Sequence, residues 1–165
     1  MKIITNAIKD GAFALEFGNF GPKDKNGMPH ISFPFAIEDY PKETKAFALI
    51  FIDYDAVPVS GAPFIHWLVS DFVSPVMPKG ESHQGRLIEG INSWYDGRNH
   101  RDDAHGYGGM APPDKTHVYT LYVFALKEKL GLKDGFFFNE MLRVLPERII
   151  TWAKIEGTYP SKLKK

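Results

Sequence analysis

Asp53, Asp55, His66, His117 and Tyr119 are side chains of the types that hold anions or move protons, and all fall inside stretches that are otherwise apolar. In "DYDAVPVSGAPFIHWLVSDF" two carboxylates close one apolar run, and a histidine stands in the next among Phe64, Ile65, Trp67 and Leu68. In "YGGMAPPDKTHVYTLYVFAL" a His-x-Tyr pair opens a third run after a loop rich in glycine and proline. Burying such groups costs stability unless each finds a partner. Taken singly they have plain readings: an Asp that caps a turn near Pro58 and Gly61, a core histidine, two edge residues. Taken together they describe a pocket suited to anions or phosphate esters. Imidazoles and main-chain amides would supply donors, and the carboxylates would orient the imidazoles. A neighbouring carboxylate also raises an imidazole pKa unless burial outweighs the pairing, so His66 or His117 is expected to titrate above about 6.5.

Other chemistries have weaker signals. "HRDDAH" offers His100, Asp102, Asp103 and His105 as ligands, but the spacing fits no strong zinc or calcium pattern, and no metal site is expected. There is no G-x-S-x-G elbow, H-E-x-x-H pair or phosphate-binding G-x-x-x-x-G-K-[ST] loop. Three large catalytic classes thus lack their usual signatures, and the leading expectation is a non-enzymatic binder with no catalytic residue. The competing reading is an acid–base or metal-assisted hydrolase in which Asp53 or Asp55 works with His66 or His117, and it lacks a nucleophile.

The elements that must position these residues are mostly strands. "TKAFALIFIDYD" is apolar on both faces, with Phe47, Leu49 and Phe51 pointing one way and Ala48, Ile50 and Ile52 the other, which marks a central strand. "HISFPFAIED", "PFIHWLVSDF" and "THVYTLYVFALK" also read as strands, the last with His117, Tyr119 and Leu121 on one face. The long segment "GINSWYDGRNHRDDAHGYGGMAPPDK" has no period, and loops of that length in compact domains are usually functional or mobile. After Gly135 the spacing of Met141, Leu142, Leu145, Ile149, Ile150 and Trp152 predicts helix, with Asn139 as its cap, a second helix starting at Pro146, a stop at Gly157 and a solvated tail "YPSKLKK".

At 165 residues the chain is expected to form one domain, 1–165. Its 20 basic and 20 acidic residues cancel, so no global field draws in nucleic acid. Cysteine is absent, which excludes a catalytic thiol and a disulfide framework. No apolar run is long enough to span a bilayer, and the N-terminus is no signal peptide, so a cytoplasmic protein is expected.

The two quoted motifs, in this order, resemble the D-x-D-A-P…H-W and Y-x-G-x-x-P-P…H-x-Y stretches of the phosphatidylethanolamine-binding proteins, in particular the prokaryotic Raf-kinase-inhibitor-like branch. The likeness runs from "TKAFAL" to "IEGTY". It departs at Val57, inserted before Pro58, and at Val118, where many relatives carry Arg. The resemblance implies a mainly β fold, a Greek-key β-sandwich with peripheral and C-terminal helices. It also implies an anion pocket on Asp53, Asp55, His66, His117 and Tyr119, with Gly109, Ala111 and Pro113 at its rim and Phe64 as an apolar wall. The implied ligand is a phosphate-type anion or phospholipid head group, with no cofactor. A partner protein such as a kinase or protease is implied as well, as is a homodimer, to which the 14% of aromatic residues would contribute.

Overall fold

Alternation of apolar side chains on both faces of Ala46–Asp53 requires cover on both sides, and the architecture supplies it. The computed structural model describes residues 1–97 and 100–162. Its strands are β1 (Lys2–Ile4), β2 (Ile8–Lys9), β3 (Ala12–Phe13), β4 (Phe35–Glu38), β5 (Ala46–Asp53), β6 (Phe64–Phe72), β7 (Val76–Met77), β8 (Ile88–Glu89), β9 (His117–Leu126) and β10 (Ile149–Tyr159). Two short helices join them, α1 (Val57–Ser60) and α2 (Phe138–Val144). The larger sheet has the order β2-β3-β10-β9-β5-β6-β8, and β1, β4 and β7 form a small second sheet.

The order β9-β5-β6-β8, with all three pairings antiparallel, is a Greek key: β5, β6 and β8 follow one another within this sheet, the chain visiting the small sheet as β7 between the last two, and β9 returns by a long connection to lie beside β5. The fold is mainly β, as expected. Phe47, Leu49 and Phe51 of β5 pack with Trp67, Leu121, Ile37 and Met77 between the two sheets. Ala48, Ile50 and Ile52 pack on the other face against Leu130, Phe136, Met141 and Leu145 around α2. The central strand is thus dry on both sides, and every residue of β5 is buried.

The C-terminal region corrects the sequence reading. One helix forms, Phe138–Val144, and its cap is not Asn139: Glu140 reaches back to accept the Phe137 N–H at 2.7 Å. The second helix expected after Pro146 is strand β10, paired with β9 from Ile149↔Leu126 to Tyr159↔His117. Ala153, Ile155, Gly157 and Tyr159 lie on its inner side, while Trp152, Lys154 and Glu156 are exposed. That is a period of two, overridden in the sequence reading by the helical spacing carried over from α2. Gly157 stops no helix, since a Cβ there would sit 2.7 Å from the Phe13 ring, so the strand needs glycine at this contact. Nor is Tyr159 tail: it is fully buried, and its hydroxyl donates to Leu15 O at 2.7 Å and accepts from Phe20 N at 3.1 Å. Of the expected tail, residues 163–165 lie outside the described residues, as do 98 and 99 of the long loop.

Candidate functional site

Antiparallel register brings the polar residues together. Asp53, the last residue of β5, pairs with Phe64 at the start of β6 and with Tyr119 near the start of β9. One end of the sheet therefore collects the C-terminus of one strand and the N-termini of two others, and the β8–β9 connection roofs it. A cavity of about 330 Å³ opens there.

The deepest polar contact is a chain of three side chains. His117 Nδ1 lies 2.7 Å from Asp53 Oδ2, and its Nε2 lies 2.8 Å from Asp114 Oδ1. Both carboxylates can only accept, so the ring that serves both is an imidazolium donating twice. Burial opposes that charge, but the hydrogen bonds that the ring donates to Asp53 and Asp114 outweigh it and raise the His117 pKa above its ordinary 6.5. The expectation of a raised histidine holds for His117. It fails for His66, whose pKa is driven down to about 4 by burial, against weaker upward pulls from the Gly108 carbonyl and Asp53.

His66 is oriented by backbone, not by a carboxylate. Its Nδ1 donates to Gly108 O at 2.6 Å, and the Gly108 N–H returns a bond to His66 O at 2.8 Å. Glycine is required at 108, because a Cβ would lie 2.4 Å from Trp94 Cδ1 and 2.9 Å from Asn92 Nδ2. Tyr119 is fully buried; its hydroxyl makes no well-formed hydrogen bond to a described residue, with the Ala111 main chain and the Asp53 carboxylate as its near polar neighbours. Burial first, then the Asp53 charge, push its pKa far above the ordinary 10, so it stays a neutral donor.

The cavity is lined by Asp53, Phe64, His66, Ala111, Pro113 and Tyr119, all expected from the sequence. The remaining expected residues lie elsewhere. His117 is completely buried behind Asp53 and acts on the cavity through that carboxylate. The Asp55 carboxylate accepts the Val118 N–H at 2.9 Å and ties the turn after β5 to β9. The Gly109 N–H donates to Pro29 O at 2.7 Å, and a Cβ there would meet Phe17 O at 2.7 Å, so this glycine docks the roof onto the first part of the chain.

Sequence reasoning missed Ala56, Val59 and Ser60 of the α1 turn and Ser93 and Trp94 of the long loop, which complete the lining. Pro58 sits in the first turn of α1, where its missing N–H costs nothing, and no peptide bond among the described residues is cis. Ser93 is held by reciprocal bonds with Ile65: Ser93 N donates to Ile65 O at 2.8 Å, and Ile65 N to Ser93 Oγ at 2.9 Å. The roof has a second anchor in Glu89, almost fully buried, which accepts Trp67 Nε1 at 2.7 Å and Ser82 Oγ at 2.6 Å. Ser82 Oγ in turn accepts the Tyr107 N–H at 2.9 Å. Nothing in the spacing of Glu89 signals this role, because its partners come from two separate segments, β6 and the stretch at Ser82. His105 bonds Asp134 at 3.0 Å, and among the described residues no group of three potential ligands could hold a metal.

A β-sandwich whose Greek-key crossover roofs a cavity over a buried aspartate–imidazolium pair is a recognisable class. The sequence model described as Phosphatidylethanolamine-binding protein matches residues 5–160, and the chain belongs to that family. It is 39% identical over 139 residues to the Bacillus subtilis protein YxkA, covering 80% of this chain and 83% of the relative. It is 30% identical to a UPF0098 protein of Chlamydia trachomatis, covering 78% and 82%. Among solved structures, the Chlamydia trachomatis phosphatidylethanolamine-binding protein homolog CT736 superposes with a TM-score of 0.78 at 27% identity, over 96% of this chain and 95% of that one. Escherichia coli YbcL follows at a TM-score of 0.76 over 98% of both chains; at 24% identity this likeness concerns the fold alone. No helix among the described residues is long and apolar enough to cross a membrane.

Proposed function

We propose that this chain binds a small phosphate-type anion or a phosphorylated head group in the cavity at the end of β5, β6 and β9, and that occupancy regulates a partner protein such as a kinase or a protease in the cytoplasm. The observation that carries the reading is the Tyr119 hydroxyl, fully buried on a side chain that lines the cavity and without a well-formed hydrogen bond to any described residue, with the Ala111 main chain and the Asp53 carboxylate close by. A buried polar group is normally hydrogen-bonded, so a partner from outside the chain is the simplest completion. Phe64 and Trp94 on the walls suit a ligand that carries an apolar substituent on its anionic group.

Calorimetric titration with O-phosphoethanolamine and with inorganic phosphate tests it. Tyr119→Phe should weaken binding about fivefold, the worth of one hydrogen bond near 1 kcal/mol, and leave the cavity shape intact. An unchanged affinity removes the hydroxyl from the site, and steady turnover of a phosphate ester would replace the binder with a hydrolase.

A homodimer belongs to the same proposal. Trp152 is 52% exposed and packs at 5.9 Å on Tyr122, which stacks on Phe124, so the outer face of β9 and β10 carries aromatic surface of the kind enriched at interfaces. Light scattering should give twice the monomer mass at high micromolar concentration, and Trp152→Glu should return the monomer. A monomeric wild type at that concentration removes the dimer.

A further inference from the structure

The cavity's charge inventory bears on which anion it accepts, and this step rests on the anion-binding reading above. Among the described residues no Lys or Arg lines the cavity. The His117 imidazolium acts on the cavity-lining His66 by its charge, but both its ring nitrogens are already spent on Asp53 and Asp114. Asp53 is in turn committed, with Oδ2 to His117 and Oδ1 accepting the Ala56 N–H at 3.2 Å.

That leaves His66. With Nδ1–H donated to Gly108 O, a neutral ring has its proton on Nδ1, and Nε2 carries a bare lone pair. The one well-formed hydrogen bond of the ring to a described residue is the Nδ1 bond to Gly108 O, the Gly109 carbonyl adds a weaker pull, and the ring lines the cavity. A lone pair facing a fully ionised phosphate oxygen is repulsive; facing a P–OH it is a hydrogen bond. The groups around the ring are Asp53 from β5, His117 and Tyr119 from β9, and the carbonyls of Gly108 and Gly109 from the roof. Burial keeps the free ring neutral at physiological pH despite Asp53. Tyr119 supplies a complementary donor for a second phosphate oxygen.

We propose that a phosphate held in this cavity shares one proton with His66 Nε2, so that the complex holds a proton the free protein lacks. The ligand class it fits best is then a monoester monoanion, which brings that proton with it. A phosphodiester has no P–OH and binds only when the ring takes a proton from solvent.

Titration calorimetry in buffers of different ionisation enthalpy reads proton uptake directly, with methyl phosphate and dimethyl phosphate as probes. At pH 7.5 methyl phosphate is mainly a dianion, its second ionisation lying near pH ~6, and about one proton should be taken up per site. At pH 5 its uptake should approach zero, whereas dimethyl phosphate should still take up about one. Above pH ~7 the affinity for methyl phosphate should fall about tenfold per pH unit. In His66→Gln the side-chain amide provides its own N–H, so uptake at pH 7.5 should vanish, while Tyr119→Phe should bind more weakly and keep it. Binding of methyl phosphate at pH 7.5 without proton uptake overturns this inference and leaves the anion site standing. No binding of either ester at any pH overturns both.

Discussion

Replacing Asp53 with Asn is expected to lower folding stability by about 3 kcal/mol, the low end of the range for removing one partner of a buried ion pair. Asp53 is 3% exposed and His117 not at all, so the imidazolium left behind cannot turn to water. The Asp114 carboxylate, still 2.8 Å from Nε2, holds the loss to that lower end. The same substitution should lower the His117 pKa, since a leading upward pull on it is removed. Urea unfolding at pH 7 gives the stability change, and a double-mutant cycle with His117→Gln isolates the pair. A coupling below about 0.5 kcal/mol would show that the two residues are merely neighbours.

Stability should also form a dome in pH with its top near 6.5, because the two site histidines pull in opposite directions. His66 has a folded pKa of about 4 against an ordinary 6.5. Between those values the unfolded chain binds a proton that the folded one refuses. Its contribution is therefore complete above pH 6.5 and is lost as pH falls toward 4, by roughly 3 kcal/mol in all. For His117 the folded pKa is raised. The stability from that shift is complete below pH 6.5 and is lost as pH rises through the folded pKa. Midpoints of urea unfolding measured between pH 4.5 and 9 map both limbs, with carboxylate titration adding to the acid side only below the usual range of about 4. His66→Gln should flatten the acid limb, and His117→Gln the alkaline one. A wild-type profile that rises steadily from pH 6.5 to 9 would contradict the raised pKa of His117.

Much of this molecule was written in its local pattern. The two-faced apolar run of β5 dictates a central strand whatever its neighbours are, because both sets of side chains must leave water. The alternation in β9 likewise puts His117, Tyr119 and Leu121 on the inner face, and the polar ends of three apolar strands marked where the cavity would lie. What pairing alone decided is of a different kind. Residues 149–159 carry both a helical and a strand period, and the free edge of β9 selected the strand by offering them a complete hydrogen-bond ladder. Which histidine receives the carboxylate was equally invisible in one dimension. Asp53 precedes His66 by 13 residues and His117 by 64, yet it bonds the distant one, because β5 pairs with β9 in a register that sets Asp53 beside Tyr119. The same register and the roof at Gly108 gave His66 a carbonyl instead of a charge. The pKa values of two imidazoles of identical chemistry therefore move in opposite directions, since burial is opposed by two carboxylates in one case and mainly by a backbone dipole in the other.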